Sequence, residues 1–180
     1  MIRGMVTIHD VRAALTERAD PRRRKKMKHF FKTGDGHYGS HDVFIGVRVP
    51  DCRAVAAQLS DLSFSELSKL LRSSVHEERF VALVILVHRF EYGDADRQKK
   101  VVEFYIKHLR AVNNWDLVDL TAYKILGTYL CAIEDYEYLY ELARGRSLWR
   151  RRIAIVATYA CIQRGNLSHT FAIAEQLLDD

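Results

Sequence analysis

The sequence predicts an all-α fold, an α-α superhelix (solenoid) of stacked helix pairs, and three observations carry that expectation. Among 180 residues there are two prolines, Pro21 and Pro50, and glycine is sparse outside residues 34 to 46. Most of the remaining chain reads as amphipathic or apolar helix, bounded by recognisable start and stop signals. Two segments also repeat. Laid over SLWRRRIAIVATY from Ser147, SVHEERFVALVIL from Ser74 sets apolar on apolar and Arg79 on Arg152. Asn114 to Leu120 fits between them and puts Asp119 in the same column, 40 residues after Arg79 and 33 before Arg152. Such periods belong to HEAT-like helical repeats, whose second helices line one surface. Arg79, Asp119 and Arg152 are therefore expected in a row on one wall.

The helices follow in order. Thr7 is expected to cap a helix from Ile8 to about Ala19, and Asp20 with Pro21 to restart a second, proline taking the first helical position. Thr33 to Val49 breaks the pattern and reads as one long loop. Its Gly34, Gly36 and Gly39 have the spacing of a dinucleotide fingerprint, but a basic helix rather than an apolar strand precedes them, so no nucleotide cofactor is expected. His37, His41 and Asp42 lack a second cluster to complete a metal site, and no metal is expected either. Pro50 opens a helix to about Leu59, and Ser63 with Glu66 forms a capping box for the next, ending near Arg72. His76 to about Glu91 is strongly apolar and stops at Gly93. Asp94 to Arg110 is amphipathic, and Tyr136 to Arg144 is short. Leu148 to Arg164 ends at Gly165, and Leu167 to Leu178 is the last.

Between them, residues 113 to 127 read NNWDLVDLTAYKILG and organise the rest. Asn114 is the expected N-cap and Asp116 sits in the first turn, where the helix dipole favours an acid. Trp115 and Asp119 stand one turn apart on one face. Leu117, Leu120, Ile125 and Leu126 supply the apolar side. The dipole explains little at Asp119, so that carboxylate needs a functional account.

Composition bounds the function. With 48% hydrophobic and 28% charged residues, the chain suits one soluble domain spanning residues 1 to 180. The longest apolar run, Phe80 to Val87, is too short to span a bilayer. Met1 to Asp10 has no secretory apolar region, so a cytoplasmic location is expected. Cys52, Cys131 and Cys161 are odd in number, widely spaced and set among apolar neighbours, which suits reduced thiols. The net charge is +5, and PRRRKKMKHFFK, residues 21 to 32, holds seven Lys and Arg without an acid. Such a cluster neutralises phosphates and releases counterions, which makes nucleic acid the first partner to consider. An acid centred among arginines repels phosphate, so Asp119 must face something cationic.

FKTGDGHYGSHDVFIGVRVP (residues 31 to 50), HEERFVALVILV, NNWDLVDLTAYKILG and LWRRRIAIV, in that order, resemble the DNA alkylation repair family, the AlkD-like alkylpurine DNA glycosylases of HEAT-like repeats. The resemblance implies hydrolysis of the glycosidic bond of cationic lesions, such as 3-methyladenine and 7-methylguanine, in duplex DNA, with no cofactor. By the same resemblance Asp119 is the catalytic aspartate and Trp115 the lesion-facing tryptophan. Arg152 contacts DNA, and Arg48 approaches the duplex from the opposite wall. Trp149 is read as a packing residue. Members of the family usually continue into further helices with a second lesion-facing tryptophan. The chain is expected to lack these, which leaves an uncapped last repeat prone to self-association. A non-catalytic protein binding distorted duplexes and a protein-binding HEAT scaffold stay open as alternatives.

Overall fold

The computed structural model describes residues 6–40 and 42–180. Among them the fold is all-helical, and the single extended pairing is an isolated parallel bridge between Val43 and Val75. His41 lies outside the described residues. The chain divides into two compact units, Met1–Ile85 and Leu86–Asp180.

The first unit contains α1 (Ile8–Thr16), α2 (Pro21–Phe30), α3 (Val49–Gln58), α4 (Phe64–Leu71) and the start of α5 (His76–Glu91). Local chemistry sets the helix starts. The Thr7 N–H donates to Asp10 Oδ2 at 2.7 Å, and Asp20 Oδ1 accepts from the N–H groups of Arg22 and Arg23 at 2.8 and 3.3 Å. The capping box expected at Ser63 is only half made. Ser63 Oγ accepts from the Glu66 N–H at 3.2 Å, but the Glu66 carboxylate accepts the Ile8 N–H at 2.7 Å and so ties α4 to α1. A distant orphan amide at a helix start outcompetes the local one. Val11 and Leu15 of α1, Val55 of α3 and Leu67 and Leu70 of α4 form the buried core.

The glycine-rich loop is held by the first turn of α5. Glu77, only 2% exposed, accepts hydrogen bonds from the N–H groups of Ile45 (3.1 Å), Gly46 (2.8 Å) and Val47 (3.3 Å). A carboxylate there is favoured by the helix dipole as well as by the three donors. Gly46 has φ of +90°, and a Cβ on it would lie 2.2 Å from the Asp20 carbonyl oxygen. That position therefore excludes a side chain. Phe44 stacks on Phe31 and on His76, at 4.6 and 4.5 Å between ring centroids. Asp42, weighed above as a metal ligand, is instead buried against His76 Nδ1 (3.1 Å) and Arg79. No group of three His, Cys, Asp or Glu residues among those described is placed to hold a metal ion.

In the second unit lie α6 (Ala95–Lys107), a 3-10 turn (Leu109–Ala111), α7 (Trp115–Thr121), a π-helical segment (Ala122–Gly127), α8 (Thr128–Ile133), α9 (Glu137–Ala143), α10 (Leu148–Ala157), α11 (Tyr159–Ile162) and α12 (Ser168–Gln176). The expected helix from Leu148 to Arg164 is divided at Thr158, whose hydroxyl donates to the Ile155 carbonyl. The chain from Trp115 to Ile133 runs alongside α10 and α11, with successive meeting points at Asp119 and Arg152, Gly127 and Ala157, and Cys131 and Cys161. Contacts that advance together along both helices mean that the two run in the same direction, as equivalent helices of successive helix pairs do. Among the described residues no helix is long and apolar enough to cross a membrane.

Cys131 and Cys161 form a disulfide, which corrects the expectation of reduced thiols. They are 30 residues apart in sequence, yet helix stacking brings their Cα atoms to 6.0 Å. Cys52 is buried and is not part of a disulfide.

Two outcomes follow from this packing. Glu77→Ala leaves three loop amides without an acceptor and lowers stability by about 2–4 kcal/mol, measured as a lower urea midpoint at unchanged slope. Thiol titration of the denatured chain finds one reactive cysteine before reduction and three after it.

Candidate active site

The site grows from the start of α7. Asn114 is fully buried, and its side-chain oxygen accepts the Trp115 N–H at 2.9 Å, which fixes where the helix begins. Asp116 Oδ1 accepts the Leu117 N–H at 2.8 Å, the first-turn role expected of it. Leu117, Ile125 and Leu126 are fully buried and Leu120 nearly so. With that side of the helix anchored, Trp115 and Asp119 are left half-buried, four residues apart.

Asp119 meets Arg152 of α10. Arg152 Nε donates to Asp119 Oδ1 at 3.1 Å, and Nη2 donates to Oδ1 and Oδ2 at 2.9 and 2.8 Å. The two side chains are 42% and 40% exposed. An ion pair this open contributes only about 0.2–1 kcal/mol, so fold stability is a weak reason for it. Its geometry is more informative. The guanidinium spends one edge on the carboxylate, and its Nη1 donors point elsewhere, available to a second anion.

Just past Asp119 the helix changes form. The Thr121 hydroxyl donates to the Leu117 carbonyl at 2.6 Å, a bond of the type that bends helices. Its one proton is thereby committed, so the Tyr105 hydroxyl is the donor in the 2.8 Å bond between Tyr105 and Thr121. Burial pushes the Tyr105 phenol well above its ordinary pKa, which keeps it protonated for that task. From Ala122 to Gly127 the helix widens into π geometry, and the Thr128 hydroxyl reaches the Tyr123 carbonyl five residues back at 3.0 Å. Segments of this kind recur at functional sites. Gly127 closes it, and a Cβ there would lie 2.1 Å from the Ala157 carbonyl oxygen. Nothing in the local sequence marked the π segment or the Tyr105–Thr121 bond; the lone glycine inside a helical pattern was the one available signal for the close approach.

The other expected site residues are placed differently. Arg79 is only 4% exposed; its Nη2 donates to Asp42 Oδ1 at 2.5 Å and its Nη1 to the Ser73 carbonyl at 2.8 Å. A guanidinium held this way is a buried structural cation rather than a surface contact for phosphate. Arg48 is exposed at the start of α3 and donates from Nε to Asp51 Oδ2 at 2.8 Å, which also lowers the Asp51 carboxyl below its ordinary pKa. In α2, Arg22, Arg24, Lys25, Lys26 and Lys28 are exposed, whereas Arg23 is tied to the Gly46 carbonyl at 2.8 Å. Trp149 is half-buried in the first turn of α10.

A family model described as DNA alkylation repair enzyme matches residues 11–180. No curated protein matches the chain.

The packing around the pair can be tested at Gly127. Gly127→Ala forces the two helices apart, destabilises the chain by about 1–3 kcal/mol in thermal unfolding, and loosens the Asp119–Arg152 contact.

Proposed function

The chain belongs to the DNA alkylation repair enzyme family, and from that premise we propose that it is a glycosylase hydrolysing the N-glycosidic bond of positively charged alkylpurines in duplex DNA. Its substrates in this reading are 3-methyladenine and 7-methylguanine. The observation that carries the proposal is the half-exposed Asp119 carboxylate, aimed by Arg152, with Trp115 one turn away.

The chemistry suits such a site. An alkylated purine is already cationic, so it leaves without prior protonation. The glycosidic bond breaks heterolytically, its electron pair moves to the purine nitrogen, and the base departs neutral. Positive charge develops on the deoxyribose, where a fixed carboxylate stabilises it and orients the attacking water. Water adds to the anomeric carbon and gives up its proton to the Asp119 carboxylate, which passes it to solvent, leaving an abasic site; the step uses no cofactor. Trp115 offers a π face to the cation, worth about 0.5–2 kcal/mol. Arg152 holds Asp119 with one edge and a backbone phosphate with its Nη1 donors.

Exposed Arg48 and the cations of α2 supply further phosphate contacts in this reading. Arg79 is not among them, because its guanidinium is already spent inside the fold. Phe171 and Leu178 stand exposed at the last helix, which supports self-association through that surface.

The deciding assay is release of 7-methylguanine and 3-methyladenine from methylated duplex DNA. Asp119→Asn keeps DNA binding and loses excision by about 10²–10³-fold; full activity in that variant would refute the assigned role. Binding without release by the parent chain would favour a non-catalytic protein of distorted duplexes, in which the Asp119–Arg152 pair is structural. Binding that is insensitive to salt would point to a protein-binding scaffold.

A further inference from the structure

Beside the ion pair, the first turn of α10 and the stretch leading from the 3-10 turn into α7 enclose a cavity of about 430 Å³. Arg110, Arg150, Trp149 and Asn113 line it, over an apolar floor of Leu109 and Val112. Two features describe what it would hold.

The first is charge. Of three consecutive arginines in α10, Arg151 is neutralised by Asp180 and Arg152 by Asp119. Arg150 is exposed and has no carboxylate partner among the described residues, and the same holds for Arg110. The Ser147 hydroxyl makes no capping bond, so the positive end of α10 adds to the field of the two guanidinium groups. Such a cavity calls for an anion. The second feature is shape: the Trp149 ring and the apolar floor call for a flat or apolar part beside the anionic one. Volumes of this size accept small organic ligands.

We infer that the cavity is a nucleotide subsite, which takes one nucleotide of the DNA strand flanking the reacting residue. This rests on the DNA substrate proposed above. The phosphate lies on Arg110, Arg150 and the first turn of α10, and the sugar or base packs against Trp149. Trp149 precedes Arg152 by three residues, about 4.5 Å of helix rise, so the subsite adjoins the phosphate held at Arg152. Trp149 becomes a contact for DNA in addition to a packing residue.

The chain has two tryptophans, so in a Trp115→Phe background the emission reports Trp149 alone. Titration with methylated duplex DNA, with binding followed independently by anisotropy of a labelled duplex, should quench or shift that emission. Arg110→Ala and Arg150→Ala should each reduce the slope of log affinity against log salt by about one, with unfolding temperatures at the parent value. Unchanged emission at saturation, or unchanged slopes, would overturn the subsite while leaving excision by the parent chain intact. Failure of the parent chain to bind duplex DNA at all would sink both the subsite and the glycosylase reading.

Discussion

The close approach of two parallel helices at Gly127 is the constraint on which the second unit depends. With no Cβ between the π segment and the Ala157 carbonyl, the helix from Trp115 to Ile133 lies directly against α10 and α11. On one side of that contact the gap is short enough for Arg152 to grip Asp119 with two nitrogens. On the other it brings Cys131 to Cys161. A side chain at Gly127 would act on both, because packed helices shift as rigid bodies rather than deforming locally. The disulfide and the ion pair thus bracket one seam, and the widened π turn between them is where the helix adjusts its path.

Burial sorts the arginines into different jobs. Arg79 is enclosed, and its two Nη groups are held by the Asp42 carboxylate and the Ser73 carbonyl, while its Nε is buried without an acceptor. Its charge is consumed by the fold. Arg152 is open to solvent on one side, so its pairing with Asp119 leaves donors free and its charge still reaches outward. Among the described residues, Arg150 has no carboxylate partner. Residues that look alike in the repeat alignment therefore differ in what they can bind. The same logic governs the acids: Glu77 spends its charge on loop amides, whereas Asp119 keeps an exposed face.

The glycine-rich loop shows how a motif can mislead when its context is ignored. Gly34, Gly36 and Gly39 match a phosphate-cradling spacing, but the loop that contains them is organised by ring stacking of Phe31, Phe44 and His76 and by the Glu77 carboxylate. Gly46, outside the apparent fingerprint, is the position where the fold requires a missing side chain. In this structure the loop packs against the first turn of α5, with its backbone amides on Glu77.

What the sequence by itself determined is the part governed by residues within about four positions of one another. The helical class, Thr7, Asp20 and Ser63 as caps, Asn114 as the start of α7, and Trp115 and Asp119 on one face all follow from local periodicity and capping. The ordered motifs also carried the family, which the match over residues 11–180 shows. Tertiary structure alone decided the rest. It spent Glu66 on the Ile8 amide, buried Arg79, and joined Cys131 to Cys161. It also placed Arg152 on Asp119, which lies 33 positions earlier. Each of these partners is tens of residues distant in sequence, and which distant groups meet is set by how apolar helix faces pack. Capping and periodicity carry no information about that.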